Sequence, residues 1–295
     1  RAFPTLDEEA LDPSNVTLGP YCKTPYTTNS LFNVSGMSFG ALSKPAVRAL
    51  SKGAKLAGCW MNTGEGGLSP YHLEGGADLV FQIGTAKYGA RDEHGNLSTE
   101  KLKEIAAHEQ VKMFELKMSQ GAKPGKGGML PGRKVNAEIA KIRGIPEGQD
   151  SISPNGHPEI KNPADILDMI ATVRNATGKP TGFKAVIGDY TWLETLFAEI
   201  NHRGIESAPD FITIDSADGG TGAAPQPLMD SVGLPLRESL PLVVNMLEKH
   251  GLRDRVKIIA SGKLIVPSKV AWALALGADF VVSARGHMFA LGCIQ

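Results

Sequence analysis

Along the chain, short runs of apolar and β-branched residues alternate with stretches whose apolar positions recur at helical spacing. The strand candidates are "LFNVSGMS" (31–38), "GCWMNT" (58–63), "LVFQIG" (79–84), "MFELKM" (113–118), "GFKAVI" (182–187), "FITIDS" (211–216), "KIIASG" (257–262) and "FVVSAR" (280–285). Most are continuous apolar runs rather than strict alternations, the pattern of parallel strands covered on both faces. Between them lie amphipathic segments at 44–57, 99–110, 163–176, 190–204, 237–251 and 267–278. Several open on Pro or Ser/Thr and close on Gly, as helix start and stop signals do. Residues 1–30, with scattered prolines, read as an irregular N-terminal segment, and the alternation occupies 31–295. Eight strands with intervening helices over roughly 250 residues predict an α/β fold, a (β/α)8 TIM barrel in a single domain. A doubly wound open sheet is the competing topology. The chain stops at "ALGCIQ", inside an apolar pattern without a cap. We therefore expect a fragment of a longer polypeptide, with the C-terminal end of the domain incomplete.

In such a barrel, chemistry sits where strands run into loops. The first strand runs into "SGMSFGALS", the second into "NTGEGG", the fourth into "SQGAKPGKGGMLPG", the sixth into "DSADGGTGAAP", the seventh into "SGKL" and the eighth into "SARG". One glycine cluster is most simply a tight turn. Six on the same rim predict a backbone that packs close to a sizeable flat or phosphorylated ligand. The loops after strands six to eight offer backbone N–H groups where barrels commonly bind phosphate. Lys117 and Lys184 fall on neighbouring inner strands, and a buried lysine is costly without an anion or acceptor. A phosphorylated cofactor such as flavin mononucleotide (FMN) meets these demands most simply. FAD is not expected, because no G-x-G-x-x-G precedes a helix to take a second phosphate.

Composition narrows the partners. Basic and acidic residues balance at 31 each, which predicts no nucleic-acid surface. The longest apolar runs are too short to cross a bilayer, and no charged segment followed by an apolar one suggests secretion. Cys22, Cys59 and Cys293 are odd in number and far apart, which argues against a disulfide framework and fits a cytoplasmic protein.

The strings "GMSFGALS", "NTGEGG", "KMSQGAKPGKGGMLPGRKV", "ISPNGHPEI", "DGGTGAAP" and "ALGCI" closely resemble the flavin-binding synthase domain of glutamate synthases. More narrowly, they resemble the FMN-binding glutamate-synthase-like proteins that lack the amidotransferase part. The resemblance spans about 30–295 and implies a barrel that holds FMN and adds a hydride to the imine of 2-oxoglutarate, giving L-glutamate. It implies flavin contacts from Met37 and Ser38, and Lys117 and Gln120 lining both flavin and 2-oxoacid. Lys123 would lie near the substrate. Arg143 would grip a carboxylate, a bidentate task that suits a guanidinium. Glu65 would serve the ammonia or imine region. Lys184 would face the N1/O2 edge of the ring, and Gly219, Gly220, Gly262, Ala284 and Arg285 would surround the phosphate. His157 reads as structural rather than as a general acid.

The implied partners are 2-oxoglutarate, ammonia or an amine, and an electron-donor protein or subunit, ferredoxin-like or NAD(P)H-dependent; an oligomer is left open. Two departures stand out. Cys293 matches the first cysteine of a three-cysteine motif for a 3Fe-4S cluster, which could be completed only in a longer parent chain. Ala284–Arg285 stands where the phosphate loop of the family reads Gly-Thr. Two other readings remain: another FMN or nucleotide-phosphate barrel similar to IMP dehydrogenase, or a flavin-binding subunit without turnover.

Overall fold

The computed structural model describes residues 15–119, 121, 127–218 and 224–293. The chain enters as an antiparallel hairpin of β1 (Val16–Leu18) and β2 (Tyr26–Thr28). Of the segment 1–30 expected to be irregular, residues 1–14 lie outside the described residues, and the rest holds this hairpin. Three-residue strands carry little local signal, and this pair is fixed by tertiary contacts: Leu18 and Tyr26 are buried among Trp60, Phe211 and Phe280.

The barrel strands follow in chain order: β3 (Phe32–Val34), β4 (Met61–Asn62), β5 (Leu79–Ile83) and β6 (Val111–Lys117) come first. A small antiparallel pair, β7 (Met129–Leu130) and β8 (Ser151–Ile152), is inserted next. Then come β9 (Thr181–Val186), β10 (Phe211–Asp215), β11 (Lys257–Ser261) and β12 (Phe280–Ser283). Leaving aside β7 and β8, each barrel strand pairs in parallel with the next barrel strand along the chain, and β12 pairs back onto β3. The ring is closed, which excludes the open sheet. The helices are α1 (Lys44–Ala57), α2 (Pro70–Glu74), α3 (Thr99–Ala106), α4 (Ala137–Arg143), α5 (Pro163–Thr177), α6 (Thr191–Arg203), α7 (Leu236–Lys249), α8 (Pro267–Ala275) and α9 (Arg285–Ala290). Their ends are written locally. In α5, Asn162 and Asp165 form a capping box, Pro163 opens the first turn, and Gly178 closes the helix at φ 70°.

Strand pleating divides the core in two. Outward residues such as Phe81, Phe114, Leu116 and Phe183 pack under the helices. Inward residues grade from apolar to charged along the lumen. At the hairpin end lie Trp60, Phe211 and Phe280, with the Trp60 and Phe280 rings 4.9 Å apart. Toward the C-terminal strand ends the same alternation brings Asn62, Gln82, Glu115, Lys117, Lys184, Thr213 and Asp215. The hairpin closes one end of the barrel with hydrocarbon, and the chemistry collects at the other.

Candidate active site

At the C-terminal strand ends lies a cavity of about 620 Å³, the size of a cofactor or ligand pocket. Gly36, Met37 and Ser38 from the loop after β3 line it, together with Gly64, Glu65 and Gln82. The loop glycines are steric necessities. Gly64 has φ +66°, and a Cβ there would lie 2.7 Å from the Ser38 amide nitrogen. The first and second loops can therefore touch backbone to backbone, at Ser38 of the first and Gly64 of the second. Gly262 has φ +137°, and a Cβ would come 2.3 Å from the Ser216 Cβ. Ala284 lines the same cavity, and Arg285 begins α9, half-buried.

Lys117 and Lys184 are register partners on β6 and β9. Each pairs with a carboxylate of the chain itself: Lys117 lies 3.5 Å from Glu65, and Lys184 lies 3.4 Å from Asp215. Two buried lysines thus do not by themselves require an anionic ligand, which weakens that step of the sequence argument. Burial alone would push the Lys184 ammonium down, but the carboxylates of Asp215 and Glu115 outweigh it and hold its pKa above the ordinary lysine value.

Arg143 is the last residue of α4, a helix capped by Asn136 and closed by Gly144 at φ 69°. Its side chain is 6 % exposed and lines the cavity. Nη1 donates to the Ser151 hydroxyl at 2.9 Å, and the guanidinium lies 5.1 Å from the centre of the Tyr88 ring. Nε is buried without a partner, and among the described residues no ion pair reaches this arginine. Burial pushes its pKa below the ordinary arginine value. A buried guanidinium so poorly compensated, at the wall of a cavity, is a ready anion site.

Two histidines hold this constellation in place. His157 is buried, and its Nε2 lies 3.0 Å from the Lys117 carbonyl oxygen, the structural role expected for it. Its loop is pinned further by Lys87 to Glu159 at 2.7 Å and by the Thr85 hydroxyl to the Pro154 carbonyl at 2.6 Å. His72 was not anticipated. Its Nε2 lies 3.1 Å from the Met37 carbonyl and its Nδ1 2.8 Å from the Ser69 hydroxyl, so α2 anchors the first glycine loop. Burial pushes the His72 pKa down from 6.5 to about 4.

The unfolded chain therefore takes up the His72 proton first as pH falls, and stability drops between those two values. We expect this histidine to remove about 3 kcal/mol between pH 7 and pH 4. Urea titrations at both pH values, with and without His72→Gln, check it: the variant should show the smaller loss.

Of the residues singled out in the sequence, Met37, Ser38, Glu65, Lys117, Arg143 and Ala284 line one cavity. Lys184 sits beside it in the lumen, and Gly262 and Arg285 lie at the ends of β11 and β12. Gln120, Lys123, Gly219 and Gly220 lie outside the described residues. The sequence reading missed Asn62, Gln82, Glu115, Thr213 and Asp215. Their signal was present: each is a polar residue at an inward register of an otherwise apolar strand.

A family model described as the conserved region in glutamate synthase matches residues 8–295. The chain belongs to the glutamate synthase family. A glutamate synthase large subunit-like protein, YerD of Bacillus subtilis, is 50% identical over 275 residues, covering 93% of this chain and 52% of YerD. An archaeal glutamate synthase [NADPH] of Methanocaldococcus jannaschii is 37% identical over 272 residues, covering 88% of this chain and 48% of that enzyme. The chain spans about half the length of the curated relatives it matches. Among solved structures, a mutant flavocytochrome b2 with pyruvate bound superposes with TM-score 0.61 at 18% identity, covering 97% of this chain and 63% of that one. A mandelate oxidase mutant with a monooxide FMN adduct gives TM-score 0.53 at 18% identity, covering 91% and 68%. At that identity the likeness speaks to fold alone. Among the described residues no helix is long and apolar enough to cross a membrane, and no group of His, Cys, Asp or Glu could hold a metal ion.

Proposed function

We propose that this domain holds FMN at the barrel mouth and reduces the imine of 2-oxoglutarate and ammonia to L-glutamate. The observation that carries the reading is Arg143: a buried guanidinium with an unpartnered Nε, walling a cavity whose other residues include Lys117, Glu65 and Gln82. The residues present fit FMN. The Gly36–Ser38 and Gly64 backbones line a cavity of about 620 Å³, where Gly36 and Gly64 present no side chain to a flat ring, and Lys184 lines the lumen beside it. Met37, Ser38, Lys117 and Gln120 would line the ring. Gly219, Gly220, Gly262, Ala284 and Arg285 would take the phosphate. FMN when bound supplies a carrier that receives two electrons from a donor and passes them on as hydride.

The chain's own residues divide the remaining work. Arg143 and Lys117 supply positive charge for the carboxylates of the oxoacid, and Lys123 would add to it. Glu65 faces the cavity with a negative charge that favours ammonium, and then the protonated imine, over the neutral oxoacid. Condensation releases water; the hydride adds to the imine carbon and leaves the amine of glutamate. The electrons come from a ferredoxin-like or NAD(P)H-dependent partner.

Protein purified with its cofactor should release FMN, not FAD, on denaturation. Adding 2-oxoglutarate should perturb the visible flavin band saturably, and release of FAD or an unperturbed band would sink the proposal. Lys184→Met should lower the flavin's reduction potential and weaken its binding, because the change removes a cation and leaves Asp215 unopposed. Each ~1.4 kcal/mol of lost preference for the reduced ring lowers the potential by about 30 mV. Spectroelectrochemistry reads it, and an unchanged potential would place Lys184 away from the ring.

A further inference from the structure

Glu115 is 2 % exposed in the lumen, on β6. Its Oε1 accepts from Asn62 Nδ2 at 2.8 Å and from Gln82 Nε2 at 2.6 Å, and its Oε2 accepts from the Thr213 hydroxyl at 2.6 Å. An ionised carboxylate only accepts, so it fixes which end of each amide faces it. The amino groups of Asn62 and Gln82 turn down to Glu115, and their carbonyl oxygens turn away. Asn62 Oδ1 then takes the Gly64 amide at 2.9 Å, tying the network to the loop that carries Glu65. Gln82 lines the cavity, and among the described residues nothing donates to its Oε1. The site also leaves room for this amide. A Cβ on Gly36 would meet Asn62 Oδ1 at 3.0 Å and Gln82 Nε2 at 3.2 Å.

We propose that Glu115 is a positioning residue that turns the Gln82 carbonyl oxygen toward the cavity as an acceptor for a donor group of the bound ligand. This rests on the FMN reading of the cavity. The oxidised flavin ring carries one N–H, and a glutamine free to flip would meet it with either end. Glu115 removes that choice without touching the ligand. Its own charge stays deep in the barrel, held by three donors.

A double-mutant cycle on FMN affinity tests the proposal, with flavin fluorescence quenching read on refolded apoprotein and melting temperature recorded in parallel. Gln82→Met keeps the length of the side chain, removes the acceptor, and leaves Asn62 and Thr213 on Glu115. It should weaken FMN binding by roughly tenfold, the value of one hydrogen bond. Glu115→Gln should weaken binding by a similar factor, because the lumen then offers a second donor amide that lets Gln82 turn over. In the Gln82→Met background, Glu115→Gln should cost no further affinity. A purely structural Glu115 would lower the melting temperature and leave the two losses independent; that result overturns the proposal. Should Glu115→Gln not fold, wild-type affinity in Gln82→Met alone overturns it. A wild-type chain that binds no FMN overturns the cofactor reading along with this one, whereas additive losses in a flavin-binding protein overturn this one only.

Discussion

Arg143→Lys is expected to raise the KM for the 2-oxoacid by roughly 10- to 150-fold, the ~1.5–3 kcal/mol of one charge-assisted hydrogen bond, with flavin content unchanged. The guanidinium is planar and divides its donors: Nη1 is committed to Ser151, Nε is buried without a partner, and the residue as a whole lines the cavity. A lysine ammonium is a single point and cannot hold Ser151 and a carboxylate in the same geometry. It also gives up the guanidinium's contact with the Tyr88 ring. Flavin content should hold because Arg143 meets the first two loops at Gly40 and Gly66, where there is no side chain to displace. Steady-state kinetics with FMN quantified on the same sample checks both halves. Loss of FMN, or an unchanged KM, would remove Arg143 from the substrate side.

Asp210→Ala is expected to cost about 3–5 kcal/mol of folding stability, at the opposite end of the barrel from the chemistry. Asp210 is fully buried just before β10. One carboxylate oxygen accepts from Arg174 Nη2 at 2.9 Å and from the Thr181 amide at 2.8 Å, and the Cys22 thiol reaches it at 3.4 Å. The other accepts from Arg255 Nη2 at 2.8 Å. Helix α5, the start of β9, the approach to β11 and the N-terminal hairpin are therefore joined through one side chain. Removing it leaves two guanidiniums with no counter-charge. Urea unfolding at pH 7 measures the loss, and a cost under about 1 kcal/mol would mean that the pairs merely offset their own desolvation. The KM of the folded fraction should not move, because this face of a barrel carries stability rather than catalysis.

The contrast between these two residues shows what the chain makes legible. Barrel strands and their major helices announce themselves because each is a local pattern: an apolar run, a capped amphipathic segment, a glycine stop. Helix α4 is short, and its importance comes from where its last residue points. Arg143 was found through resemblance rather than periodicity. The hairpin escaped for the same reason in reverse, since β1 and β2 have no pattern of their own and exist because Trp60 and Phe280 leave a place for Leu18 and Tyr26. Within the site, Lys117 and Lys184 were conspicuous as charges in apolar strands. Glu115, two residues before Lys117 on the same inward face, carries the same signal and three buried hydrogen bonds. Register alone would have found it. What register cannot give is pairing: that Lys184 faces Asp215, and Lys117 faces Glu65, depends on which strands close next to which.

The central claim is that this domain delivers hydride to an imine made from 2-oxoglutarate. It is tested most directly by a single turnover: FMN-loaded protein is photoreduced without oxygen, then mixed with 2-oxoglutarate and ammonium while flavin absorbance is followed and glutamate is assayed. The account predicts that the yellow colour returns with one L-glutamate formed per flavin, that omission of either reagent leaves the flavin reduced, and that Arg143→Lys needs far more oxoacid for the same rate. A flavin that stays reduced with both reagents present, or reoxidises without glutamate, would contradict it.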